Sequence, residues 1–162
     1  MDLPPDTAAN ESTPPIALPD PYPKMDSAIR ESFEAPEEVE IHRISPWPEK
    51  TDRPGLFFRH RSLGSMRVPT QERRLIVGRA MLNDLGKGMG FMCFDPGFGV
   101  RLRRGIEEIG LVICYRCQNA RVHIRGTGSG MFSFSTTSLE LLRKELRRGG
   151  VGWLWFWRRW FA

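Results

Sequence analysis

The hydrophobic pattern divides this chain into short alternating runs, two helix-period runs and two ends that fit neither. Val39-Glu40-Ile41-His42-Arg43-Ile44 alternates with period two and reads as a strand, stopped by Pro46 and Pro48. Residues 55–68 read as a second extended stretch that carries Leu56, Phe57 and Phe58 and breaks at Gly64. A helix follows, with Thr70 as N-cap, Glu72 in the positive first turn and Gly86 as its stop. Leu75, Gly78, Leu82 and Leu85 fall on one face of it, and Ile76 and Met81 widen that face. Gly78 on that face predicts close approach to a sheet.

The next part reads as a meander. Residues 98–103 set Phe98, Val100 and Leu102 against Gly99, Arg101 and Arg103, and Arg104-Gly105 is a tight turn. Residues 109–114 are almost all apolar, as in a strand buried on both faces. Residues 120–125 set Val122 and Ile124 against Arg121, His123 and Arg125. The glycine-rich stretch 126–130 is a hairpin loop, and 131–134 is the returning strand. In a last helix, Thr137 and Glu140 form a capping box. Leu139, Leu142 and Leu146 make the apolar stripe, and Gly149-Gly150 ends the helix.

These elements predict an α+β domain over residues 39–149. Its sheet is mostly antiparallel, with five or six strands, and two amphipathic helices cover one face, leaving the Arg-bearing face to solvent. Residues 1–38 read as a disordered, proline-rich, acidic arm: seven of the 13 prolines lie within residues 1–24. A loosely held helix around Ala28, Ile29 and Phe33 is the most structure expected there. Residues 150–162 form a tail with four of the five tryptophans. Four readings of it stay open: a peripheral membrane contact, a segment folded back as core, a partner-binding segment, or a stretch under no selection.

Charge changes the picture because it is unevenly placed. Residues 1–40 hold ten acidic and two basic residues, a net of −8, whereas residues 41–162 hold 22 basic and nine acidic, a net of +13. Of the 24 basic residues, 20 are Arg. Arg101, Arg103, Arg121 and Arg125, on neighbouring strands, are candidate anion ligands. The strands lack the interleaved aromatics of RNA-binding sheets, which argues against nucleic acid.

The three cysteines are too few for a disulfide scaffold. With no basic and apolar leader and no apolar run of spanning length, a cytoplasmic protein with reduced thiols is expected. Cys93, Cys114, Cys117 and His123 have the spacing C-x20-C-x2-C-x5-H, four candidate ligands for zinc. A strand running straight through Cys114-Tyr-Arg-Cys117 would point the two thiols to opposite faces and forbid a shared metal. Redox exchange calls for a helix after the CxxC, and a strand follows instead. A Cys93–His123 nucleophile pair lacks a group to orient the histidine. Gly86-Lys87-Gly88 lacks the spacing and hydroxyl of a phosphate loop.

The segments Cys93-Phe-Asp-Pro-Gly-Phe-Gly99 and Ile113-Cys-Tyr-Arg-Cys117 resemble a family of small uncharacterised bacterial proteins. In that family a Cys-aromatic-x-Pro-x-His-Gly segment precedes a strand and an Ile-Cys-Phe-x-Cys segment ends a later one. The similarity covers residues from about 40 to 148. It implies a fold and no activity, and Phe98 stands where the family tends to have His. Together these features point to a non-catalytic domain without a cofactor that binds another protein. The alternative is a cysteine-centred zinc or thiol-redox protein.

Overall fold

The computed structural model describes residues 27–151. The proline-rich part of the arm and the tail beyond Val151 lie outside the described residues. Ten elements follow in order: α1 (Ser27–Glu34), β1 (Glu38–Pro48), β2 (Leu56–Phe57), β3 (His60–Arg67), α2 (Gln71–Asp84), β4 (Phe98–Arg104), β5 (Glu107–Cys114), β6 (Asn119–Ile124), β7 (Gly128–Ser133) and α3 (Leu139–Arg148). The strands form one antiparallel sheet in the order β2-β3-β1-β4-β5-β6-β7.

The α+β class holds, but seven strands and three helices replace the expected five or six and two. The extra strand arises at Phe58-Arg59, where both residues take positive φ (46° and 71°) and fold 55–68 into a β2–β3 hairpin. The extra helix is α1. Far from loosely held, it buries Phe33 completely in the main core. The folded unit therefore starts ahead of Val39.

Register explains the core. Ile41, Val100, Leu111 and Val122 are cross-strand neighbours in one row; Val39, Leu102 and Ile109 form the next. Both rows face the helices and join Val77, Met81, Leu85, Leu142 and Leu146 in one cluster. Each such side chain, fully buried, contributes roughly 1.5–3 kcal/mol. Helix α2 is rotated from the expected face: Val77, Gly78 and Met81 are buried, while Ile76 is 48% exposed. Gly78 does permit a close approach, though to helix α1 and not to a sheet. A Cβ at that position would collide with the Phe33 carbonyl.

Thr70 caps α2 by accepting from the Arg73 N–H. The capping box at Thr137 does not form. Asp84, buried at the end of α2, serves α3 instead, accepting from the Ser138 N–H at 2.7 Å and the Ser135 hydroxyl at 2.9 Å. Ser138 Oγ in turn lies 2.7 Å from the buried Tyr115 hydroxyl, whose pKa burial pushes up. Among the described residues, no helix is long and apolar enough to cross a membrane.

Candidate functional site

Cys93 lies in the loop before β4, Cys117 in the β5–β6 turn and Arg125 just past β6; the second face of the sheet carries Arg101, Arg103, Arg121, His123 and Cys114. Its rows are Glu38-Arg103-Glu108, Glu40-Arg101-Gly110-His123 and His42-Gly99-Val112-Arg121, with Cys114 opposite Asn119 beyond them. This face is not left to solvent as expected. The β2–β3 hairpin lays Phe57 over Gly99 and Phe58 over Gly110, where any Cβ would run into the rings. Phe57 contacts His42 at 4.4 Å between centroids, and Phe58 stacks on His123 at 4.3 Å and 8°. Ile44, Phe57 and Val112 form a second, small core here, with Phe58 and Phe94 against it.

The arginines divide. Arg101 pairs with Glu40 at 3.2 Å and Glu108 at 3.6 Å; Arg103 pairs with Glu38 at 3.2 Å and Glu108 at 3.1 Å. Three carboxylates thus neutralise these two cations. Arg121 lies over the Phe94 ring, and Arg125 is exposed. Arg121 is on β6 and Arg125 stands one residue past its end, roughly 13 Å of extended chain away. An open groove of about 650 Å³ runs past Phe58, Arg103, Glu108, His123, Arg125 and Ser129. Its walls carry both signs of charge and include Arg103 and Arg125, but neither Arg101 nor Arg121.

His123 is held away from the thiols. It pairs across from Gly110, four residues along β6 from the partner of Cys114, a separation of roughly 13 Å. Zinc requires ligand bonds of about 2.0–2.3 Å to one point. The set Cys93, Cys114, Cys117 and His123 therefore does not assemble, and among the described residues no group of three or more His, Cys, Asp or Glu is placed to hold a metal. Cys93 lies against Cys117 and the His123 ring is stacked on Phe58, so no contact joins the Cys93–His123 nucleophile pair. Burial and the neighbouring Arg121 lower the His123 pKa, which leaves a neutral ring.

The three thiols do come together. Strand β5 ends at Cys114, and a tight turn closes by a Gln118 N–H to Tyr115 carbonyl bond, with Gln118 at φ 51°. The straight strand that would separate Cys114 from Cys117 is thus interrupted. The Cys117 N–H donates to Cys114 Sγ at 3.2 Å, and the Asp95 N–H donates to it at 3.4 Å. Cys93, exposed, has its sulfur 2.7 Å from that of buried Cys117. The hydrogen bond with Cys117 pushes the Cys93 thiol up, and burial pushes the Cys117 thiol up. Both stay protonated near neutral pH, the opposite of an activated nucleophile. Phe98 packs edge-on against Tyr115 under the Arg43 guanidinium.

Loop 86–97 brings Cys93 to this place. It follows the β5–β6 turn, with the Phe91 N–H on the Cys117 carbonyl at 2.8 Å, the Met89 N–H on the Gln118 side chain at 3.1 Å and the Asn119 amide on the Phe91 carbonyl. At its start the Gly86 N–H bonds the Ser133 carbonyl at 2.7 Å, and Gly90 lies beside Ser133. The loop and β7 therefore adjoin. Between them they display Met89, Phe91, Met92, Met131 and Phe132, five of the eight large apolar side chains exposed among the described residues. The alternation of the sequence offered no warning of this patch, because the loop has none. Comparison with family models, curated proteins and solved structures gives no match.

Proposed function

We propose that this domain is a non-catalytic interaction module that takes an extended apolar segment of a protein partner along the outer edge of β7. The observation that carries this reading is the concentration of exposed apolar side chains on β7 and the adjoining loop 86–97. Large apolar side chains scattered singly are ordinary; here five stand exposed on two adjoining segments, and Met131 and Phe132, consecutive on β7, flank its outer edge on opposite faces. Strand β7 ends the sheet order; the Gly86 N–H takes up its outward Ser133 carbonyl, and ahead of that point its sequence, Gly-Ser-Gly-Met-Phe, has no charge, proline or bulge to blunt pairing. The opposite edge, β2, is only two residues long. Backbone bonds would supply affinity and the apolar side chains selectivity, as in strand addition. Arg121, cross-strand from Met131, and Arg116 near Cys93 favour acidic flanks on the bound segment.

Hydrogen bonding fixes the test. The Phe134 N–H bonds the Gln118 carbonyl, and the alternation that starts there turns the Met131 N–H outward. Met131→Pro removes that donor without breaking a β6–β7 bond. A photoreactive residue at position 132 should crosslink to one short apolar segment. A synthetic copy of that segment should shift the β7 and loop 86–97 amide resonances of the whole chain, and Met131→Pro should weaken its binding at least about tenfold. Crosslinks scattered over many sequences, or found only to a second copy of this chain, would overturn the reading.

A further inference from the structure

We infer that Cys93 and Cys117 form a reversible disulfide that ties loop 86–97 to the β5–β6 turn. Their sulfurs lie 2.7 Å apart, about 0.6 Å beyond a covalent S–S bond. The two backbones are already in register beside them, since the Phe91 N–H bonds the Cys117 carbonyl. Closing the bond therefore needs only a small movement of side chains. The third thiol has another role: Cys114 Sγ accepts the N–H groups of Asp95 and Cys117, which holds the loop and the turn around the pair.

Access sets the order of events. Cys93 is exposed and Cys117 is buried, so an oxidant meets Cys93 first. With a small disulfide of the glutathione class as oxidant, Cys93 loses its proton and attacks one sulfur, which releases one small thiol and leaves a mixed disulfide. Cys117 then loses its proton and attacks the Cys93 sulfur, forming the internal bond and releasing a second small thiol. Two protein thiols are oxidised and one small disulfide is reduced to two thiols. Because both thiols are held protonated, the exchange is slow at neutral pH, unlike that of a thiol catalyst. The inference stands apart from the partner reading. Its consequence for that reading is that oxidation fixes Met92, next to Cys93, in its displayed position.

The sequence makes the test clean. Arg116 lies between Cys114 and Cys117, so trypsin separates them: Cys93 falls in peptide 88–101, Cys114 in 105–116 and Cys117 in 117–121. Full-length protein incubated with glutathione disulfide should lose two hydrogens in intact mass. It should yield 88–101 joined to 117–121, reversibly with dithiothreitol, and Cys114→Ser should not prevent this. Oxidation should slow chymotryptic cleavage after Phe91 by about tenfold, because the loop can no longer open by itself. Cys93→Ser, at an exposed position, should show neither effect. A bond from either peptide to 105–116 would overturn the inference. So would a mixed disulfide on Cys93 that never resolves, or unchanged cleavage in the oxidised protein.

Discussion

On one face of the sheet, three helices press rows of aliphatic side chains into a continuous core; on the other, two phenylalanine rings rest on bare backbone at Gly99 and Gly110. The first arrangement spreads its free energy over many contacts, so no one methyl group decides it. The second depends on a few positions where the absence of a side chain is the essential feature. The buried and half-buried histidines and the thiol cluster also lie on the second side: His42, His123 and the three cysteines, with His60 in the hairpin that carries the rings. Oxidation and the protonation of histidine should therefore act there first.

The largest effect is expected where the helix face borrows the device of the other. Gly78→Ala puts a methyl group against the Phe33 carbonyl and must lever α1 off α2. We expect a loss of about 3 kcal/mol in denaturant unfolding, the upper end for overpacking. Asp84→Ala should cost about 2 kcal/mol by leaving the buried Ser138 N–H unpaired, and amide exchange should rise at the start of α3. On the second face, Gly99→Ala must displace the buried Phe57 ring; about 1–2 kcal/mol is expected, because a ring yields more readily than a carbonyl. A cost at Gly99 equal to that at Gly78 would erase the distinction between the faces.

A smaller, graded response should follow pH. His42, His60 and His123 all have pKa values lowered from 6.5, chiefly by burial. Each binds a proton more readily unfolded than folded, so its contribution to stability is intact above about 6.5 and is lost as pH falls through the lower folded-state values. Hydrogen exchange at mildly acid pH should rise at the β2–β3 hairpin before it rises in the helix-facing core. Phe58→Ala should move the His123 titration upward by exposing the ring. The smallest effect belongs to Arg103→Ala. Its ion pairs are about half exposed, and its loss should change stability by no more than about 0.5 kcal/mol.

Periodicity alone was enough for the class of fold, the meander from β4 to β7 and the caps at Thr70 and Gly86, because each depends on neighbours within a few residues. It also marked Ile109–Cys114 as buried on both sides, which β5 is. It failed wherever the decisive partner was distant. Phe33 reads as part of an acidic arm until α2 offers it Gly78; Thr137 reads as a cap until Asp84 arrives from another helix. Arg101 and Arg103 read as a free basic face until Glu38, Glu40 and Glu108 are paired beside them. The CxxC could be found by inspection, but whether its thiols diverge or meet hung on one left-handed residue, Gln118, and on a loop from elsewhere in the chain carrying Cys93. Spacing along a chain limits which groups can be neighbours; only the packed backbone, which sets register and turn, decides which of them are.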